Sequence, residues 1–142
     1  MNASELKDKL LAEGCNENNF AILSTGNDVF CLDKRGYDWV VYYTERGCDS
    51  EPIFKSRSEK VACKFFYDYI LDMEHWHLVG FFKEKLDALR MESKLDNAGV
   101  KFRRNDIPAY KSSNDPRYRI FVIGKDIFKF RELFGNESVA LA

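Results

Sequence analysis

The feature that most constrains the fold of this chain is the run Tyr37-Asp38-Trp39-Val40-Val41-Tyr42-Tyr43. Its β-branched and aromatic residues are those that favour β-strands. Alternation along a strand places Trp39, Val41 and Tyr43 on one face, with Val40 and Tyr42 on the other. Both faces are therefore apolar, and we expect this run to be the central strand of a sheet that is covered on both sides.

Turn sequences divide the neighbouring residues into further strands. Gly26-Asn27 separates a strand at Phe20–Ser24 from one at Val29–Leu32, and Lys34-Arg35-Gly36 separates the latter from the central run. A charged turn over residues 45–51 leads to one more short strand. Short strands joined by tight turns predict an antiparallel meander.

Three helices are predicted from apolar residues at helical spacing. The first covers Ser4–Glu13 and is capped by its own first residue, and the third covers Phe81–Asn97 and ends at Gly99. The second runs from Glu59 to Met73 after a capping-box sequence, Ser56-Arg57-Ser58-Glu59. Its apolar stripe consists of Ala62, Phe65, Phe66, Tyr69, Ile70 and Met73.

The rest of the chain completes an α+β pattern. Two extended runs, Val100–Arg104 and Tyr118–Ile123, are followed by Asp126–Phe134, which fits either a short helix or a returning strand, and residues 136–142 are expected to fray. Strands and helices are segregated along the chain rather than alternating. The expected fold is therefore an antiparallel β-meander packed against helices, in a single domain over residues 1–142.

Cysteine usage and hydropathy indicate a protein of a reducing compartment. The sequence contains four cysteines and no Cys-x-x-Cys pair, so we expect all four to be reduced. The first residues contain no apolar leader, and the longest apolar run is about five residues. These features predict a soluble, cytoplasmic protein that does not enter a membrane.

Residues able to build a reaction centre are scarce. His75 and His77 are the only histidines, and on a continuation of the second helix they would diverge by about 200°. We interpret them as a helix-end cluster with Trp76 packed inward, and expect no metal. The sequence has no Gly-rich phosphate loop and no Gly-x-Ser-x-Gly motif, so we expect no cofactor and no enzymatic activity.

Charge is distributed unevenly although the net charge is only −1. Residues 1–100 contain 18 acidic and 13 basic residues, whereas residues 101–142 contain 5 acidic and 9 basic ones. This charge distribution predicts either a mixed, solvated surface or two oppositely charged faces, one of which meets a partner.

A nucleic-acid-binding or regulatory module is one function compatible with this pattern. Basic residues interleaved with aromatic ones over segment 101–121 can hold a single strand through its phosphates and bases. The basic residues are Lys101, Arg103, Arg104, Lys111, Arg117 and Arg119, and the aromatic residues are Phe102, Tyr110, Tyr118 and Phe121.

A second function follows from a resemblance over residues 37–71. Trp39-Val40-Val41-Tyr42-Tyr43-Thr44-Glu45-Arg46-Gly47, followed by Ser58-Glu59-Lys60-Val61-Ala62-Cys63-Lys64-Phe65-Phe66 at the start of a helix, resembles small bacterial immunity proteins. Such proteins accompany the toxins of contact-dependent growth inhibition and other polymorphic toxin systems. The resemblance covers about a quarter of the chain and follows a strand–turn–helix pattern.

The resemblance implies that the chain binds the C-terminal toxin domain of a cognate effector, often a nuclease, and neutralises it. A nuclease presents a basic cleft to its polyanionic substrate, so its inhibitor needs carboxylates and aromatic anchors. We expect the contact set to be Asp33, Asp38, Tyr42, Tyr43, Glu45, Asp49 and Glu51. The basic segment meeting an acidic toxin surface is the alternative, and in either case we expect the partner to be a toxin domain and not nucleic acid.

Overall fold

Over residues 1–135 and 140–141, which the computed structural model describes, the chain forms four α-helices and nine strands. It divides into two compact units, Met1–His75 and Trp76–Ala142. Each unit combines helices with its own sheet, so the predicted α+β class is confirmed. The first unit contains 14 acidic and 9 basic residues and the second contains 9 acidic and 13 basic ones, so the boundary also separates an acidic from a basic part.

The first unit is the predicted meander with flanking helices. Its elements are α1 (Ala3–Ala12), a short 3-10 helix (Glu17–Asn19), β1 (Phe20–Ile22), β2 (Val29–Arg35), β3 (Asp38–Glu45), β4 (Cys48–Asp49), β5 (Phe54–Ser56) and α2 (Glu59–Leu71). Strand β3 contains the apolar run and pairs antiparallel with β2, β4 and β5. Its predicted central position is thereby confirmed.

Strand β1 departs from the predicted antiparallel pattern because it pairs in parallel with β2. The chain turns back twice between the two strands, at Leu23 and Asp28, which both adopt positive φ angles. Since β1 is only three residues long, the intervening loop needs to return the chain by only about 10 Å. A short loop therefore replaces the long crossover that parallel strands usually require.

Helices α1 and α2 cover one face of the first sheet. Leu6 and Leu10 of α1, together with Phe66 and Ile70 of α2, are fully buried in one cluster with Val41 and other strand residues. The remaining predicted stripe residues of α2 are buried in this cluster or packed against it, so the stripe is confirmed. The opposite face of β2–β3 carries a smaller buried cluster that includes Cys31, Val40 and Tyr42.

Helix boundaries are set by side chains that satisfy backbone N–H groups. Asn2, and not Ser4, caps α1, because its side chain accepts a hydrogen bond from the Glu5 N–H at 3.1 Å. Ser58 caps α2 by accepting from the Val61 N–H at 3.2 Å, so the Ser56–Glu59 capping box is not formed. In both cases the residue that closes the first turn lies two positions from the expected cap.

The second unit contains β6 (Trp76–Phe82), α3 (Lys85–Ala98), β7 (Phe102–Ile107), β8 (Arg117–Ile123), α4 (Asp126–Phe134) and β9 (Ala140–Leu141), with strand order β7-β8-β6-β9. Strand β8 lies between β7 and β6 and is antiparallel to both, which is a split β-α-β arrangement. The sequence did not predict β6, and the expected start of the third helix at Phe81 is wrong because Phe81 and Phe82 belong to this strand.

Both helices of the second unit contribute buried side chains to one core. Leu95 of α3 and Phe130 of α4 share a cluster with Ile120 and Val122 of β8. Gly80 of β6 permits this close packing, since a Cβ there would lie 2.6 Å from the ring of Phe82.

The predicted end of α3 at Gly99 is confirmed, because this residue adopts the left-handed conformation with φ of 69°. Asp126–Phe134 is a helix rather than a returning strand. Of the tail expected to fray, residues 136–139 and 142 lie outside the described residues, and the Ala140–Leu141 backbone pairs in parallel with β6. No described helix has the length and apolar character needed to cross a bilayer.

Candidate partner-binding surface

The pairing of β2 with β3 divides the predicted contact residues between two faces of the sheet. Asp33 lies opposite Val40, and Arg35 lies opposite Asp38, so the two aspartates share a face with Tyr42. This face points away from α1 and α2. Tyr43 lies on the other face, where its ring centroid is 4.9 Å from that of Phe30. The two tyrosines therefore do not form a common contact surface.

Two tight turns fix this register. The β2–β3 turn consists of Gly36 and Tyr37, whereas the prediction placed it at Lys34-Arg35-Gly36. Gly36 has a φ of 64° at the first turn position. The β3–β4 turn consists of Arg46 and Gly47, both with positive φ, and the Arg46 N–H donates to Asn27 Oδ1 at 2.8 Å. Turns of this kind match the twist of the flanking strands, so β4 is held rigidly beside β3.

Tyr42 is buried and belongs to a polar network on the sheet. The Arg35 guanidinium lies 4.3 Å from the centre of the Tyr42 ring and donates to Asp49 Oδ2 at 2.9 Å. Cys31 pairs with Tyr42 across the two strands, and burial raises the pKa of both side chains. Since Tyr42 is only 4% exposed, it supports Arg35 and Asp49 and is excluded as an anchor for a partner.

Three of the predicted carboxylates lie on or just after the β3–β4 hairpin, where alternation places Glu45 on the Tyr43 face and Asp49 on the Tyr42 face. Glu45 pairs across the hairpin with Cys48, Asp49 pairs with Thr44, and Glu51 follows two residues later. All three residues are exposed. Tyr43, Glu45 and Asp49 also line one shallow depression of about 490 Å³. We call the β3–β4 hairpin with Glu45, Asp49 and Glu51 the acidic hairpin.

The acidic hairpin is only partly neutralised by cations. Asp49 forms an ion pair with Arg35, but within the described ranges neither Glu45 nor Glu51 has a cationic group within 4.0 Å. Arg46, at the tip of the turn, forms no ion pair with either glutamate. On the Tyr42 face, Asp38 lies 3.8 Å from Lys55, whereas the Asp33 carboxylate accepts from the Lys34 N–H at 2.8 Å. Of the five predicted carboxylates, Glu45 and Glu51 on the hairpin and Asp33 on the Tyr42 face therefore have no ion pair among the described residues.

Sequence reasoning did not identify Arg35 and Lys55, which are the basic residues of this surface. Arg35 was assigned to a turn, although it is the last residue of β2 and lies opposite Asp38. The Gly36 position was the available signal, because a two-residue turn beginning with glycine places Arg35 in the strand.

The expected helix-end position of the histidine pair is wrong for His77, which lies on β6. His75 is buried, and its Nδ1 accepts from the Asn16 N–H at 3.0 Å while its Nε2 lies 2.8 Å from the Ile70 carbonyl oxygen. These partners define a neutral imidazole protonated on Nε2. In the part of the chain that is described, no three His, Cys, Asp or Glu residues are grouped as metal ligands.

The four cysteines are free thiols, as predicted. Three of them, Cys15, Cys31 and Cys63, are buried, and burial raises the pKa of each, for Cys15 to about 11. A buried thiol with a raised pKa is a poor nucleophile at neutral pH.

The basic and aromatic residues of segment 101–121 are also divided by strand alternation. Phe102 and Tyr118 pack against the core of the second unit. Arg104 shares their face and forms ion pairs with Glu92 and Asp106 at 2.8 and 3.0 Å. The hydrogen bonds that Arg104 donates to the Glu92 and Asp106 carboxylates raise its pKa. The residues on the other face are Arg103, Arg117, Arg119 and Phe121, while Tyr110 and Lys111 lie in the β7–β8 loop.

Comparison of the chain with protein-family models, with curated proteins and with solved structures gave no match.

Proposed function

We propose that this chain is an immunity protein, which binds the toxin domain of a cognate effector in the cytoplasm of the producing cell and neutralises it in a stoichiometric complex. The observation that carries the proposal is the acidic hairpin. Glu45 and Asp49 lie on the strands that flank its two-residue turn, Glu51 lies two residues further on, and all three are exposed. Glu45 and Glu51 have no cationic partner among the described residues.

Electrostatic complementarity explains why such a hairpin suits a nuclease toxin. The cleft of a nuclease is basic because it holds a polyanion. Glu45 and Asp49, which lie on paired strands, lose little backbone entropy when they enter such a cleft, since their backbone is already ordered. They attract the toxin over long range and occupy sites that phosphates would take.

Tyr43 supplies the apolar contact beside these charges. It is half-buried against Phe30, and its hydroxyl lies 3.4 Å from Asp28 Oδ1. The part of the ring that packs against Phe30 is held by the sheet. The exposed part therefore forms a pre-organised edge of the depression that Glu45 and Asp49 also line. Aromatic residues of this kind exclude water from neighbouring polar contacts.

Neutralising the acidic hairpin tests the proposal. We expect Glu45→Gln, Asp49→Asn and Glu51→Gln together to weaken binding to the cognate toxin domain by about tenfold or more, mainly through a slower association rate. The salt dependence of the association rate is also expected to fall. Surface plasmon resonance at two salt concentrations measures both effects, and co-expression measures the corresponding loss of growth protection.

A matched control uses three carboxylates on or beside α1. The control Glu5→Gln, Asp8→Asn and Glu17→Gln changes the net charge equally, and all three residues are exposed. We expect it to leave the association rate nearly unchanged. Equal effects of the two triple variants would remove the acidic hairpin from the interface, and failure of the wild-type chain to protect co-expressing cells would reject the immunity function itself.

A further inference from the structure

We propose that the open face of the second sheet binds single-stranded nucleic acid. This inference is independent of the proposed immunity function, because it concerns other residues in the other unit. Helices α3 and α4 both pack buried side chains into the cluster that contains Ile120 and Val122. Alternation along β8 therefore directs Arg119 and Phe121 to the face opposite the one on which α3 and α4 pack.

Strand register brings aromatic and basic residues together on this open face. Phe121 is flanked by Leu78 of β6, and Arg119 is flanked by Phe81 of β6 and Asn105 of β7. The ring centroids of Trp76 and Phe121 are 5.3 Å apart. The result is a surface of partly exposed side chains on neighbouring strands, most of them aromatic. We call it the aromatic face, and it consists of Trp76, Leu78, Phe81, Arg119 and Phe121.

The β7–β8 loop extends the aromatic face with one more ring. Tyr110 is 43% exposed, and its ring centroid lies 5.2 Å from that of Phe81. The Arg117 guanidinium lies 4.8 Å from the centre of the Tyr110 ring and pairs with Asp115 at 2.6 Å. The hydrogen bond from Arg117 lowers the pKa of Asp115. Arg117 and Asp115 thus hold Tyr110 in place and contribute no net charge.

Arg119 supplies positive charge that no carboxylate neutralises. Its guanidinium lies 5.4 Å from the centre of the Phe121 ring and donates to the Asn105 carbonyl oxygen and Asn105 Oδ1 at 3.1 and 2.7 Å. In the described ranges no carboxylate lies within 4.0 Å of it. Lys111 lies beside Tyr110, at 5.7 Å from the centre of its ring. Cations therefore accompany the rings at two positions.

This combination selects a single-stranded polynucleotide as the occupant. Unstacked bases pack on aromatic rings and on arginine planes, while phosphates pair with the remaining cations. A base-paired duplex offers no exposed base faces to such a surface, whereas each nucleotide of a single strand offers one base face and one phosphate. A single-stranded polynucleotide matches both features of this surface, because its phosphates suit the cations and its flat apolar bases suit the rings.

Fluorescence anisotropy with labelled oligo(dT) and oligo(rU) tests the inference on the full chain. We expect saturable binding that weakens with salt, and a loss of about fivefold or more for Tyr110→Ala through lost stacking. Arg119→Gln is expected to reduce the slope of log affinity against log salt by about one phosphate contact. The DNA and RNA probes show whether the 2′-hydroxyl contributes.

Residues of the same types outside the aromatic face serve as controls. Tyr37→Ala removes a tyrosine that is 83% exposed in the first unit, and Arg90→Gln removes an exposed arginine on α3. Neither is expected to alter binding, and thermal unfolding checks that all variants remain folded. Absence of saturable binding, equal loss in the controls, or equally strong competition by duplex DNA or by polyphosphate would overturn the inference.

Discussion

Replacing Phe66 by alanine is expected to lower the free energy of unfolding by about 3–5 kcal/mol. Phe66 is fully buried at the centre of the cluster that joins α1, α2 and the first sheet. Its ring meets that of Phe20 edge-on, with centroids 6.4 Å apart. Removal of the ring leaves a cavity between elements that are all held by other contacts, so the surrounding side chains cannot fill it completely.

Urea unfolding followed by the fluorescence of Trp39 measures this loss. Trp39 belongs to the same cluster, and a Trp76→Phe background removes the signal of the second unit. Val61→Ala is the matched control on α2, because Val61 is 49% exposed. A change below about 1 kcal/mol in Phe66→Ala, similar to that of the control, would show that this cluster is not the core of the unit.

Replacing His75 by alanine is expected to cost about 2–4 kcal/mol of stability, because it removes the partners of two backbone groups. The Asn16 N–H and the Ile70 carbonyl both hydrogen-bond to the His75 ring, which ties the end of α2 to the 3-10 segment. Asn19 Nδ2 also lies 3.0 Å from Nδ1. Backbone groups that are buried without partners carry a full desolvation penalty.

Conservative variants at His75 separate these hydrogen bonds from the filling of space. His75→Asn retains an acceptor near the Nδ1 position, and His75→Gln retains a donor near the Nε2 position. We expect each to recover part of the stability lost in His75→Ala, as measured by urea unfolding in the same Trp76→Phe background. Equal destabilisation by all three variants would assign the effect to ring packing alone, and full stability of His75→Ala would reject the structural role.

Local sequence patterns were sufficient for the elements whose burial follows one clear periodicity. The apolar residues of β3 alternate on both faces, and those of α2 recur at helical spacing, so both elements could be placed. Strand β6 could not, because Phe81 and Phe82 also fit the apolar stripe of the helix that follows. Gly80 is unfavourable in an isolated strand and is needed here only because the Phe82 ring and Met91 pack against it.

The candidate surface depended on register, which the sequence specifies only through turns. The position of the carboxylates near turns was enough to identify them. The assignment of Tyr42 and Tyr43 to opposite faces of the sheet depended on the register, in which Cys31 pairs with Tyr42 and Phe30 with Tyr43. A shift of one residue would exchange the two tyrosines. In the second unit the same alternation divides Arg103, Arg119 and Phe121 from Phe102, Arg104 and Tyr118.

Titration of toxin activity with purified wild-type chain tests most directly whether this protein acts by binding. The toxin domain is held at a fixed concentration well above the dissociation constant, and its activity is measured after equilibration. We predict a linear decrease that ends near zero at an equimolar ratio. Complete inactivation by a small fraction of an equivalent would indicate catalysis, and undiminished activity at molar excess would contradict neutralisation by complex formation.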